Sequence, residues 1–467
     1  MFNQALEFDR THVWHPYSQM SPSNPFMLVI ESAEGSKIKT EDGQELIEAM
    51  SSWWCAIHGY NNKELNQALL EQVDVLQHVI IGGLTHKPAI DLTSKLLQLT
   101  HDKLQCVLYT DSGSASIDCS LQMALSYFRK GNSKTSKTKF LTIRHGYHGG
   151  SFAAMSICDP INSMHSMYSG YLPKNLFADA PPTIQMLPSS LKNIEQHYNL
   201  DERVRNNCQF HESDISDFKR MLEKHHREIA AVVLEPVLQG AGGLRLYHPK
   251  FLVHVRLLCN KYNVLLIVDE LATGFGRTGK MWAYEHCNEY HSDIDMYPDI
   301  MCFGKGLTGG YVAMSGVIAT RKVAERIDEN KSFLFGSTFM ANPLSCAVSI
   351  KSLEILQRGD WKHQVAKIER QLFKELYCRI VQDVEMMNTV IDDVRVAGAM
   401  GVVQTKHTVD VKWFQDEFTA RSVHVRPFKK FVYIMPPYII TQAELRQVTD
   451  AIYDVLKLWK QKLMNIS

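Results

Sequence analysis

The chain has 467 residues, of which 45% are hydrophobic and 21% charged, enough apolar side chain for a buried core and far from the composition of a disordered chain. Lys+Arg and Asp+Glu both number 50, so the formal net charge is zero and a global basic field for nucleic acid or anionic lipid is excluded. The 10 cysteines never come closer than 13 positions, which leaves no CxxC pair for zinc or redox chemistry. Several lie in apolar runs, as Cys106 and Cys302 do, and the expectation is reduced thiols in a cytoplasmic protein. Met1 to Tyr17 has no apolar leader segment, and no apolar run approaches the roughly 18 residues that span a bilayer.

In chain order, the first signals are two aromatic clusters, Trp14-His15-Pro16-Tyr17 and Ser51-Ser52-Trp53-Trp54, which fit core packing or a substrate wall equally well. Cys106 to Thr110 reads as a buried strand, and Ile117, Leu121, Leu125 and Phe128 then recur at helical spacing. Further strands are expected at Lys139 to Ile143, Ala230 to Leu234, Val264 to Val268, Asp299 to Phe303 and Ser315 to Ala319. Between them, Asp159 to Ser213 is loose in texture, with one short strand expected near Ile184 to Leu187. After Asn342-Pro343 come helices from Pro343 to Gln357 and Trp361 to Val381, strand-like pieces at Val394 to Gln404 and Val423 to Met435, and a helix from Glu444 to Lys462. The pattern predicts an α/β fold: a large domain with a mostly parallel sheet over residues 61–340, and a smaller α+β domain from 1–60 and 341–467.

Two expected strands end in residues that point to chemistry. Val264 to Val268 runs into Asp269-Glu270, and Asp299 to Phe303 runs into Gly304-Lys305-Gly306. Ligands of open α/β sheets bind beyond the carboxyl ends of the strands, so Asp269 and Lys305 can face one pocket. A lysine that forms a Schiff base with an aldehyde, and a carboxylate beside a pyridine nitrogen, are the two protein groups that pyridoxal phosphate needs. Asp111-Ser112-Gly113-Ser114 opens the helix after Thr110, where free N–H groups could meet a phosphate, although alone it is an ordinary helix cap. Tyr147, in Arg144-His145-Gly146-Tyr147-His148-Gly149-Gly150, could stack on a flat cofactor. His145 and His148 lack a nearby acid or cysteine to complete a metal site, and no metal is expected. Gly274 to Lys280 satisfies GxGxxG and nearly a P-loop, but Met281 stands where a magnesium-binding hydroxyl belongs and Asp269 to Thr273 separate it from its strand.

These residues together resemble the class III, fold type I, pyridoxal-phosphate aminotransferases, over about Phe8 to Ile440. The resemblance rests on Asp269-Glu270-Leu271-Ala272-Thr273-Gly274-Phe275-Gly276-Arg277-Thr278-Gly279 and Gly304-Lys305-Gly306-Leu307. Trp14 to Tyr17, Ser51 to Tyr60, Gly82-Gly83-Leu84-Thr85-His86, Arg426-Pro427-Phe428 and Tyr433 to Ile440 make it similar to the branch that aminates 8-amino-7-oxononanoate in biotin synthesis. The resemblance implies that Lys305 holds the cofactor and moves the proton, that Asp269 pairs with the pyridinium, and that Ser112, Gly113, Ser337 and Thr338 hold the phosphate. It places Ser337 and Thr338 across the interface of a homodimer with shared active sites. Tyr147 would contact both ring and substrate; Tyr17, Trp53, Gly336 and Arg426 would bind substrate, and Arg277 would act at longer range. The implied reaction yields 7,8-diaminononanoate with S-adenosylmethionine as the expected amino donor; lysine as donor, or another class III ω-aminotransferase activity, is the alternative. From another class, a nucleotide-binding protein built on Gly274 to Lys280 remains open. The chain departs from the family at Gly150, usually Asp, at Ser337, usually Pro, and at Asp118, usually Glu, and losing the acid at Gly150 removes one partner for a cationic donor.

Overall fold

A computed structural model describes residues 2–18, 20, 27–129, 135–184, 199–290, 295–329 and 332–464. The chain divides into two compact units, Met1–Asn62 with Lys367–Ser467, and Lys63–Ala366. The second crossing falls at 366/367, whereas the sequence pattern places it at 340/341. The reason is the helix Pro343–Gln357, which packs against helices Lys63–Val73 and Lys87–Gln98 and against the turn Lys305–Thr308.

The larger unit is built on a seven-stranded sheet. Its strands are β1 (Leu104–Thr110), β2 (Lys139–Ile143), β3 (Leu176–Ala178), β4 (Ile229–Leu234), β5 (Leu265–Asp269), β6 (Ile300–Phe303) and β7 (Ser315–Thr320), in the spatial order β1-β7-β6-β5-β4-β2-β3. Every residue of β4, β5, β6 and β7 is buried, which explains why each reads as an apolar run rather than an alternating one. The β2–β3, β2–β4, β4–β5 and β5–β6 pairs are parallel. The sheet is thus mostly parallel, as expected; β7 alone is antiparallel to its neighbours, β6 and β1, a direction that a uniformly apolar strand cannot encode. The helix Gly113–Phe128 lies on this sheet and places Ile117, Leu121 and Ala124 in a core with Phe140, Val233, Ile267, Ile300 and Val317.

The smaller unit contains a four-stranded sheet of Ile30–Glu34, Lys37–Thr40, Glu45–Glu48 and Val423–His424, and a three-stranded antiparallel sheet of Ile391–Val396, Gly401–Thr405 and Phe431–Ile434. The expected strand at Val394 to Gln404 is thus a hairpin, turned where Gly398 takes φ 51°. The piece expected at Val423 to Met435 is two strands that join different sheets, with Arg426-Pro427 between them. The helix expected at Trp361 to Val381 begins at Asp360, and a π-helical stretch, Phe373–Cys378, interrupts it. The closing helix runs Gln442–Met464. Of the short strand expected at Ile184 to Leu187, positions 185 to 187 lie outside the described residues; Thr183 forms a bridge to Tyr247.

Gly316 in β7 shows how tightly the central strands are packed. A Cβ there would stand 2.6 Å from Phe303 Cζ and 2.9 Å from the carbonyl oxygen of Leu108. Gly316→Val is expected to destabilise the large unit by about 1–3 kcal/mol through overpacking. Gly170→Ala, at a site with nothing within 4 Å, is expected to change stability by less than about 0.5 kcal/mol. Thermal unfolding of the two variants beside the parent checks both.

Candidate active site

Four segments are brought to one edge of the large sheet by its parallel ladders and a fifth by the antiparallel pairing of β1 with β7. Asp269 ends β5 opposite Cys302 of β6, and Gly304-Lys305 follow directly on β6. Glu235 follows β4, whose Leu234 pairs with Val268 one residue before Asp269. Arg144 to His148 follow β2, and Asp111-Ser112-Gly113 follow β1, whose Thr110 pairs with Ser315 at the start of β7. Contacts confirm the convergence: a Cβ on Gly304 would lie 2.8 Å from Leu271 Cδ2, and one on Gly113 would lie 3.1 Å from both methyls of the same leucine. A side chain at either glycine would run into Leu271, so the two glycines are what let the turn after β6 and the start of the helix Gly113–Phe128 close on the loop after β5. Lys305 itself adopts φ 47°, left-handed backbone that a lysine rarely takes and that recurs at functional sites.

Asp269 is 3% exposed, and each of its oxygens is occupied. Oδ1 accepts from the backbone N–H of Leu271 at 3.1 Å, and Oδ2 is 2.8 Å from His148 Nδ1. His148 is therefore the partner of Asp269, although 121 positions separate them. Burial opposes charging of this imidazole, but the hydrogen bond and charge of Asp269 outweigh it and raise the pKa. Glu235, which the sequence reading did not single out, accepts from the N–H of Tyr147 at 3.0 Å and of Gly240 at 2.8 Å. Burial, with Asp269 nearby, raises Glu235 to about 7. Glu270 faces away from this group: it accepts from Thr273 Oγ1 at 2.5 Å and from Tyr284 N–H at 2.9 Å, and burial raises it to about 8. The signal that could have identified Glu235 is its place after a wholly apolar strand, the same place Asp269 holds.

Ser112 caps the helix Gly113–Phe128, its Oγ accepting from Ala115 N–H at 3.2 Å, so the first backbone donors of that helix point to the sheet edge. Ser114 Oγ accepts from Gly150 N–H at 2.9 Å, which ties the loop after β2 to the same helix start. Asp118 Oδ1 accepts from Ser151 Oγ at 2.8 Å and Ala154 N–H at 2.9 Å, so this shorter acid anchors the loop directly. The hydroxyl of Ser337 donates to Asp111 of the same chain, and Gly336, Ser337 and Thr338 are all exposed. The segment from Gly274 is no phosphate cradle: Phe275 packs on Trp282 at 4.8 Å, Arg277 is 1% exposed, and Lys280 pairs with Asp201 at 3.3 Å and Glu289 at 3.5 Å.

The smaller unit groups three more of the sequence-derived residues. Tyr17 meets Trp53 edge to face at 5.9 Å, and the Arg426 guanidinium lies 5.4 Å from the Trp53 ring centre. Among the described residues, no carboxylate pairs with Arg426. Trp53 stands in a run of four non-glycine residues with left-handed backbone, Ser51 (φ 47°), Ser52 (φ 45°), Trp53 (φ 60°) and Trp54 (φ 78°). Such backbone costs about 1–2 kcal/mol per residue, so the neighbours must enforce it. They do so through Glu48, 3% exposed, which accepts from Met50 N–H at 3.0 Å, Ser52 N–H at 3.1 Å and Tyr60 O–H at 2.8 Å. Ser51 Oγ adds a bond to the carbonyl of Met435 at 2.7 Å.

Because Asp269 raises the folded pKa of His148, the pair contributes stability that is complete below the ordinary histidine value of 6.5 and lost as pH rises through the folded value. His148→Asn keeps a neutral donor for Asp269 without the charge. The variant is expected to lie furthest below the parent in unfolding midpoint at pH below 6.5, with the gap closing as pH climbs. A gap independent of pH, measured by thermal unfolding across that range, would mean that the imidazole is uncharged.

The family model described as Aminotransferase class-III matches residues 18–456. The adenosylmethionine-8-amino-7-oxononanoate aminotransferase of Saccharomyces cerevisiae is 46% identical over 98% of this chain and 97% of its own. The protein of that name from Buchnera aphidicola subsp. Acyrthosiphon pisum is 44% identical over 96% of this chain and 97% of its own. The crystal structure of adenosylmethionine-8-amino-7-oxononanoate aminotransferase from Methanocaldococcus jannaschii superposes with a TM-score of 0.82 at 27% identity, covering 98% of this chain and 99% of that one. With the strand order and the convergent edge described above, these likenesses identify the chain as a fold type I member of the class III aminotransferases.

Proposed function

We propose that this enzyme transfers an amino group from S-adenosylmethionine to 8-amino-7-oxononanoate, forming 7,8-diaminononanoate for biotin synthesis, with pyridoxal 5'-phosphate as cofactor. Full-length relatives at 46% and 44% identity carry the name of that aminotransferase. The observation that carries the substrate assignment is Arg426, a half-buried guanidinium on the face of Trp53 with no carboxylate partner among the described residues. A planar fork held by an aromatic ring suits bidentate capture of an acceptor carboxylate. Tyr17 and Trp53 would pack against the acceptor's apolar chain.

The convergent edge fits pyridoxal phosphate: Gly304 and Gly113 let the turn that carries Lys305 and the helix start after Ser112 both close on Leu271, and a buried carboxylate stands two residues before that leucine with a histidine to hold it. When bound, the cofactor supplies an aldehyde for amine condensation and a ring that accepts the electrons of the broken Cα–H bond. Lys305 Nζ would anchor the aldehyde and, once released, move a proton between the substrate carbon and the cofactor, from the donor's Cα to the cofactor in the first half-reaction and from the cofactor to the acceptor's carbon in the second. Asp269, fixed by His148 and Leu271 N–H, would keep the pyridine nitrogen protonated. Ser112 and the N–H groups from Gly113 would hold the phosphate, joined by Ser337 and Thr338 across a homodimer interface. Tyr147, whose N–H is pinned by Glu235, would lie along the ring and touch substrate, and Gly336 would complete the substrate wall. Exposed Leu334 (87%) and Phe339 (60%), which flank Gly336 to Thr338, support a partner subunit there. Arg277, buried within its own turn, would act by shaping rather than by contact. Among the described residues no helix is long and apolar enough to cross a membrane, and the ten unpaired cysteines suit a cytoplasmic location.

The donor question raised by Gly150 has a direct test. Holoenzyme is incubated with S-adenosylmethionine or with lysine, freed of small molecules, and then given 8-amino-7-oxononanoate. One equivalent of 7,8-diaminononanoate per site after S-adenosylmethionine is expected, and none after lysine; the reverse would replace the donor and keep the reaction. Lys305→Ala is expected to lose at least the roughly 10²- to 10⁴-fold of positioned acid–base catalysis in both halves. Arg426→Ala is expected to raise the acceptor KM sharply while donor processing, followed separately, stays near the parent rate.

A further inference from the structure

The left-handed turn that carries Trp53 has a feature that neither the reaction nor the fold requires of it: a buried acid dedicated to its backbone. Glu48 ends the strand Glu45–Glu48, and its two oxygens are divided between opposite sides of the turn. Oε1 accepts from Met50 N–H, whereas Oε2 accepts from both Ser52 N–H and the Tyr60 hydroxyl. Tyr60 in turn is 2.7 Å from Ser52 Oγ, so the ring hydroxyl and the carboxylate grip Ser52 at its backbone and at its side chain. Glu48 faces no cation among these contacts; its partners are three hydrogen-bond donors, all spent on the turn or on the residue that braces it. Ser52 is the residue before Trp53, and Trp53 is the ring on which the Arg426 guanidinium lies and against which Tyr17 packs.

We propose that Glu48 and Tyr60 are positioning residues for substrate recognition, a clamp that holds Ser51 to Trp54 left-handed and thereby fixes the Trp53 face that orients Arg426 toward an acceptor carboxylate. The inference rests on the reading of Trp53 and Arg426 as acceptor-binding residues. Glu48 touches no substrate in this scheme and moves no proton. Its effect is transmitted through one peptide unit to an indole ring, so it falls on acceptor affinity rather than on proton transfer at Lys305. A glutamine at position 48 must turn its NH₂ group toward either Met50 N–H or Ser52 N–H, setting donor against donor on one side of the turn. Phenylalanine at position 60 leaves the carboxylate in place and removes only the hydroxyl link to Ser52.

The test uses Glu48→Gln, Tyr60→Phe, Arg426→Ala and the double variant Glu48→Gln/Arg426→Ala, each as holoenzyme. Both clamp variants are expected to raise the acceptor KM about tenfold, with the donor half-reaction and the acceptor kcat within about twofold of the parent. The double variant is expected to bind acceptor no worse than Arg426→Ala alone, because both changes remove the same interaction. Glu48→Asp is expected to recover part of the loss. A second readout is independent of turnover: with 5-fluorotryptophan incorporated, the Trp53 ¹⁹F resonance, assigned by its disappearance in Trp53→Phe, is expected to shift or broaden in both clamp variants. An unmoved Trp53 resonance, additive losses in the double variant, or equal losses in donor and acceptor halves would each overturn the clamp. If instead Arg426→Ala leaves acceptor use intact while the Trp53 resonance moves in the clamp variants, the acceptor reading of Arg426 fails and the mechanical role of Glu48 stands.

Discussion

The chemistry of this chain depends on the register between two buried parallel strands, Leu265–Asp269 and Ile300–Phe303. Pairing of Asp269 with Cys302 puts a carboxylate and, three residues further along the neighbouring strand, the amine of Lys305 at one edge of the sheet. A slip of one residue would turn Asp269 to the opposite face and send Val268 or Glu270 to the edge in its place. Burial of both strands on both faces prevents this, because a slip would also displace every core side chain they carry. The antiparallel strand Ser315–Thr320 completes the arrangement from the other side, holding the strand that leads to Ser112 in line with Lys305.

Placing acids at that edge carries an electrostatic cost that the structure offsets locally. An isolated buried carboxylate is penalised by several kcal/mol, and an imidazolium partner with good geometry is among the few groups that can compensate. His148 Nδ1 stands 2.8 Å from Asp269, whose hydrogen bond and charge raise the imidazole pKa against the effect of burial. Glu235, a few ångströms of sheet away on the next strand, receives only backbone N–H groups, and burial drives it up to about 7. Two acids at adjacent strand ends thus have different partners, an imidazole for Asp269 and backbone N–H groups for Glu235.

The sequence carried the strands and the residues at their ends well because both rest on local patterns: an apolar run of four or five, then an acid or a glycine-flanked lysine. It carried direction and pairing poorly. Nothing in Ser315 to Ala319 distinguishes a parallel from an antiparallel strand, and nothing in Val394 to Gln404 beyond Gly398 separates one strand from a hairpin. His148 was weighed as a metal ligand because its true partner is distant in the chain, and a histidine's role is set by what faces it rather than by its neighbours in sequence. The least legible feature is the turn Ser51 to Trp54. Left-handed backbone is normally signalled by glycine or asparagine, and here four residues adopt it with neither. Its cause is Glu48, which looks in the sequence like the end of an ordinary strand.

The two units therefore secure their functional residues by different physical means, with different consequences for how each can vary. At the sheet edge, position is a by-product of the ladder, so Asp269 and Lys305 stay in place as long as the core does. In the smaller unit, Trp53 stands on irregular backbone whose preceding residues are held by a handful of hydrogen bonds to one buried acid and one tyrosine, and Tyr17 and Arg426 meet its ring. A ladder of many bonds tolerates the loss of one, whereas a strained turn held by a few does not. Altering the bonds of Glu48 and Tyr60 would then disturb the turn at Trp53 and leave the ladder that carries Asp269 and Lys305 as it is.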